Sequence, residues 1–134
     1  MPEDPLQEPV ASLVDRLARA GLVPDAERGS GMVNHLIECR SPAFAVRLVG
    51  DRGQWWAEGG LPGGSEWYDA DIWASCLTSS PPAGLPSLEE QVDFFASHQE
   101  ALALAAGQES TWGCLRRNRE RRTRERLGLP PADE

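Results

Sequence analysis

Glu66, Asp69 and Asp71 cluster within the seven residues of "SEWYDAD" (65–71). Two neighbouring carboxylates can act as a general acid and base or hold Mg²⁺. Acids in this pattern more often cap a helix or favour its first turn through the dipole, and that reading is preferred. The other reactive residues are scattered. His35 falls on the more apolar face of a strand-like segment, as a satisfied core histidine does more often than a general base. His98, in "FFASHQE", has no nucleophile near it in sequence. Cys39, Cys76 and Cys114 stand 37 and 38 residues apart. An odd count without C-x-x-C spacing argues against a disulfide framework or a zinc site, and for small buried hydrophobes in a reducing compartment. No G-x-S-x-G, H-E-x-x-H, P-loop or dinucleotide fingerprint occurs. Neither catalysis nor a cofactor nor a metal is expected.

The second concentration of charge is "RRNRERRTRER" (116–126). It carries a net +5, whereas residues 1–115 carry −11 and the whole chain −8; lysine is absent. Arg116, Arg117, Arg121 and Arg122 form a candidate basic surface, since a cationic helix neutralises phosphates. The acidic remainder would repel a polyanion, which counts against nucleic acid. Arginine is also favoured at a helix C-terminus. Pairing with the acidic helix 87–100, or within the helix as Arg116–Glu120 and Arg121–Glu125, is the simpler use.

The elements that must position these residues are legible in outline. The 134 residues suit one domain, expected over 9–128 with a disordered lead at 1–8 and a flexible tail at 129–134. Val10, Leu13, Val14, Leu17 and Ala18 recur at helical spacing before Gly21, and "VPDAERGSG" reads as a loop. Three strands follow: "MVNHLIEC" (32–39), "AFAVRLV" (43–49) and "QWWAE" (54–58). The connection "GDRG" (50–53) is a hairpin, so the strands form an antiparallel meander. "GGLPGGSE" (59–66) reads as a flexible loop. "WYDADIWASCL" turns helical with Asp69 as its cap, and "TSSPPAGLP" breaks the chain. Residues 87–107 read as one helix opened by a Ser87–Glu90 capping box. A last helix spans about 110–127. The fold class is α+β: an N-terminal helix, a three-stranded antiparallel meander, and three C-terminal helices packed on the sheet.

Trp55 and Trp56 are adjacent on a strand, so they face opposite sides. Trp55 shares the side of Ala57 and belongs to the core. Trp56 shares the side of Glu58 on the outer face, where either a helix or the glycine loop covers it or it is exposed, and an exposed tryptophan ringed by acids suits a binding hot spot. The candidate partner-binding residues are therefore Trp56, Glu58, Glu66, Trp67, Tyr68, Asp69 and Asp71.

"RLVGDRGQWWAEGG", followed by a glycine-rich loop and "EWYDADIW", resembles small, acidic, actinobacterial-type immunity proteins of polymorphic toxin systems, over about residues 40–80. The resemblance implies a non-enzymatic protein that binds and blocks a toxin domain. An acidic body is compatible with occluding a basic cleft. Two alternatives stay open. One is a chaperone-like or regulatory adaptor that dimerises or accepts a strand at a sheet edge. The other is a nucleic-acid-associated regulator acting through the arginine helix. The partner expected first is a protein, with the chain a monomer or homodimer. The acidic, proline-rich start is not a signal peptide, and no apolar run of about 18 residues occurs, so a cytoplasmic location and no membrane contact are expected.

Overall fold

The computed structural model describes residues 8–24, 35–78 and 87–130. Its elements are α1 (Glu8–Arg19), β1 (Val23–Pro24), β2 (His35–Arg40), β3 (Ala45–Asp51), β4 (Gln54–Gly60), β5 (Trp67–Asp69), α2 (Ala70–Thr78), α3 (Leu88–Ser97), α4 (Gln99–Ala106) and α5 (Glu109–Arg126). The class is α+β. All strand pairs are antiparallel, in the order β1-β2-β3-β4-β5.

The expected meander is the centre of this sheet, and a short strand is added at each edge. "VP", read as loop, is β1, with Val23 opposite Arg40 and Pro24 opposite Cys39. "WYD", read as the start of a helix, is β5, opposite "EGG" at the end of β4. Two or three residues are too few to show a period. These strands form because the longer neighbour offers backbone groups that need partners.

The hairpin is tighter than expected. Only Arg52 and Gly53 lie outside the ladder, at φ 55° and 81°, as the favoured two-residue hairpin loop requires. Gly50 belongs to β3 and pairs with Trp55; a Cβ there would stand 2.8 Å from the indole. The Trp55 ring therefore lies across a bare stretch of its neighbour's backbone.

The helix expected over 87–107 is two. The capping box of Ser87 and Glu90 forms. The helical path then breaks at His98, with φ −119° and ψ 33°. His98 Nδ1 lies 2.9 Å from the Phe94 carbonyl, and Gln99 Nε2 donates to the Phe95 carbonyl at 2.7 Å. Side chains thus occupy two carbonyls of the main-chain ladder, which interrupts a helix.

Strand alternation divides the sheet into two faces. Ile37, Cys39, Val46, Leu48, Ala57 and Tyr68 share one. They join a single buried cluster with Leu17 of α1, Trp73 of α2, Phe95 of α3, Leu102 of α4 and Leu115 of α5. Gly59 makes this packing possible. A Cβ on it would stand 2.7 Å from both the Phe44 and Phe95 rings, and Trp73 donates to its carbonyl at 2.9 Å. Burial, then the charge of Glu38, pushes the Cys39 thiol pKa up to about 12, so this buried sulfur stays protonated.

The expectation of three reduced cysteines fails for two of them. Cys76 and Cys114 are bonded, with Cα atoms 6.0 Å apart, tying α2 to α5. Side-by-side packing of the two helices brings the sulfurs together, and no spacing rule across 38 residues reveals that.

Residues 1–7 of the expected lead lie outside the described residues, and Glu8 is already helical. Residues 25–31 of the expected loop, and residues 32–34, 79–86 and 131–134, also lie outside. Leu129 and Pro130, expected in the tail, are hydrogen-bonded to Arg124. Among the described residues, no helix is long and apolar enough to cross a membrane.

Candidate functional site

Arg116, Arg119 and Arg122 recur every three residues and so share one face of α5. That face meets β5 and its flanks. Arg116 grips Glu66 with two parallel bonds, Nε to Oε1 at 3.1 Å and Nη2 to Oε2 at 3.0 Å. Arg119 donates to the Trp67 carbonyl at 3.1 Å and lies 4.1 Å above the Tyr68 ring. Arg122 reaches Asp69 at 3.2 Å and both oxygens of Asp71. The Arg119 guanidinium thus takes a backbone carbonyl of β5 that a further strand could use, flanked by Arg116 and Arg122 on side-chain carboxylates. Beneath them Asn118 is buried, donating to the sulfurs of Cys76 at 3.2 Å and Cys114 at 3.5 Å.

The seam perturbs its carboxylates in opposite directions. Bonds from Arg116, then from the Tyr68 hydroxyl at 2.6 Å, hold Glu66 below the usual carboxylate range. Burial raises Asp69, and the charges of Glu58 and Asp71 raise it further, against Arg122 and Arg126. Burial, then the bond to Glu66, raises the Tyr68 phenol.

The other sheet face carries a different array. Arg47 and Glu58 are cross-strand partners bonded at 2.7 Å. The Trp56 indole N–H donates to the second Glu58 oxygen at 2.9 Å. Arg47 also lies 4.5 Å over the ring of Trp67. Val49 and Trp67 are buried on this face but are not part of the core cluster.

The residues singled out from sequence therefore divide. Glu66, Asp69 and Asp71, the acidic candidates, are bonded to Arg116 and Arg122, two of the basic candidates. Tyr68 is buried in the core and Trp67 lies under Arg47. Trp56 and Glu58 sit together on the sheet face opposite the core, with Trp56 half-buried and Glu58 bordering a cleft with Arg119, Arg122 and Arg126 of α5. Arg117 and Arg121 are exposed. Among the described residues the arginine run does not make the expected ion pairs with helix 87–100: Glu89 and Asp93 there meet Arg16 of α1. Nor is Arg116 turned to Glu120, which pairs with Arg124 instead.

Sequence reasoning missed Arg47, Arg119 and a role for Trp112. The 116/119/122 spacing marks one helix face but says nothing of what it meets. Trp112 is a core residue, packed on Trp73 and Tyr68, yet it also borders a cleft of about 340 Å³ with Leu61, Ser65, Glu66, Glu109 and Arg116. Among the described residues, no group of three or more His, Cys, Asp or Glu side chains is placed to hold a metal ion. No protein family, curated protein or solved structure matches the chain.

Proposed function

We propose that this chain is a non-enzymatic protein-binding domain of the immunity type, which engages a basic toxin domain through the sheet face centred on Trp56 and Glu58. The observation that carries this reading is the state of Trp56. Its indole is held by Glu58, which is held in turn by Arg47. A large aromatic already fixed in place loses little freedom on binding, as a hot-spot residue should. The acidic body supports a basic partner, whose approach it would accelerate at low salt.

The alternatives draw less support. Strand addition needs an open edge, and here one edge is a two-residue strand containing Pro24 while on the other Arg119 already takes the Trp67 carbonyl. Nucleic-acid binding needs free arginines, and Arg116 and Arg122 are bonded to carboxylates of the same chain.

The test is to look beside the gene for one encoding a secreted protein with a variable C-terminal domain, and to co-express that domain with this chain. A complex on size exclusion and rescue of growth are expected. Trp56→Ala should weaken the complex by about 2 kcal/mol, roughly thirtyfold, with the far-UV spectrum unchanged. No complex, or wild-type affinity in Trp56→Ala, overturns the proposal.

A further inference from the structure

We propose that the cleft between the 61–66 loop and the start of α5 receives a single arginine side chain from the protein partner. This rests on the reading of the chain as a protein-binding domain, but not on Trp56, which lies on the sheet face at the other end of β4. The cleft measures about 340 Å³. That is near the lower limit for ligand sites and suits one long side chain better than a larger molecule.

Charge, wall and lip each select the occupant. Arg116 is gripped by both oxygens of Glu66, so that pair is neutral as a unit. Glu109, also on the cleft, makes no hydrogen bond or ion pair among the described residues. The lining is therefore net negative. An anion would have to detach Arg116 from Glu66 and then face Glu109. A cation meets the Glu109 carboxylate, which opens α5 and already acts on the charge of Arg116, without breaking a hydrogen bond or ion pair among the described residues.

The wall is the Trp112 indole. Its N–H is fixed to the Ala106 carbonyl at 3.0 Å and its ring is packed on Trp73 and Tyr68. It cannot swing away, so the 8 % of its surface left exposed is a fixed aromatic wall for a cation. The lip is Leu61, exposed at 39 % of its surface and suited to a methylene stem. A guanidinium lies flat on an indole while bonding a carboxylate in its own plane, which a compact, strongly hydrated ammonium does less well. This favours arginine over lysine.

The test uses the full chain, with N-acetyl-arginine amide as probe and ¹H–¹⁵N spectra as readout. The Trp112 indole resonance is identified from its loss in Trp112→Phe. A saturable shift is expected at that resonance and at the backbone amides of 61–66, with little movement of the Trp56 indole. N-acetyl-lysine amide should bind more weakly, and the uncharged N-acetyl-norleucine amide should produce no shift. Glu109 is exposed, so Glu109→Arg should fold normally. It should lose at least about fivefold in affinity for the arginine probe. Three results would overturn the proposal: no Trp112 shift up to the solubility limit of the probe, equal shifts with the norleucine compound, or unchanged affinity in Glu109→Arg. No partner is needed, so failure here is distinct from failure of the co-expression test.

Discussion

The two faces of the sheet come from the same alternating strands yet are held by different forces. On the helix side Phe44, Trp73 and Phe95 close over Gly59 without room for one extra methyl group. On the other side, and along the β5 edge, side chains are fixed by charge: Arg47 on Glu58, Arg116 on Glu66, Arg122 on Asp69 and Asp71. Apolar packing is not screened by salt, does not titrate and is intolerant of volume change. The arginine seam has the reverse properties. The fold thus separates side chains fixed by volume from side chains fixed by charge.

The largest expected effect tests the packed side. Trp73→Ala should cost about 3–5 kcal/mol in urea unfolding, with no dependence on salt. A smaller loss would mean the core relaxes more than its geometry implies. Replacing Cys76 and Cys114 by serine, or reducing the bond, should cost about 2–4 kcal/mol, given the 38-residue separation that it closes. Mass spectrometry of the native protein should find two fewer hydrogens than the fully reduced chain contains; a fully reduced mass would remove the tie between α2 and α5.

Arg122→Met comes next. It leaves Asp71, which is 8 % exposed, without its cation. A loss of about 1–2 kcal/mol is expected, discounted from the fully buried case because Arg122 is partly solvated. The loss should shrink in molar salt, unlike that of Trp73→Ala. An equal response of both variants to salt would erase the contrast between the two regions.

The tryptophan pair sharpens it. Trp55 is on the helix side, but only half-buried, at the hairpin end where it stacks on His35 and crosses Gly50. Trp55→Ala should therefore cost about 2 kcal/mol, below the value for a fully buried tryptophan, and Trp56→Ala less than about 1 kcal/mol. Equal unfolding midpoints would contradict their placement on opposite faces.

The smallest effects are in pH. Glu66 is lowered in the folded chain, so its contribution is present above the unfolded carboxylate pKa and is lost as pH falls through the folded one. Asp69 is raised, so its ionisation opposes folding. Stability should decline as pH climbs from the unfolded aspartate value through the raised folded one. In unfolding midpoints across the acid range, Glu66→Gln should remove the acid-side loss and Asp69→Asn the decline at higher pH. Identical profiles for wild type and both variants would show that the seam carries no net charge coupling.

Much of the fold was legible because it is local. The three long strands, the inward placement of Phe44, Val46 and Leu48, and the Ser87 capping box each depend on residues a few positions apart. The edge strands were not legible, since β1 and β5 depend on what their neighbours leave unpaired. Nor was the break at His98, where two side chains compete with a helix that periodicity alone would continue. The candidate site was half legible. Glu66, Asp69, Asp71, Arg116 and Arg122 all stood out as charged, but as two rival surfaces.

Sequence alone determines the α+β class, the faces of the long strands and the split of the charge into an acidic body and a basic helix. Those features follow from side-chain period and composition. Only the tertiary structure brings Arg116, Arg119 and Arg122 onto the segment 66–71, some 50 residues earlier in the chain. It also joins Cys76 to Cys114 and sets Trp112 against the 61–66 loop. Periodicity reports which side of an element is apolar or charged. Which element that side meets depends on how the chain returns, and that is decided by packing across the whole core.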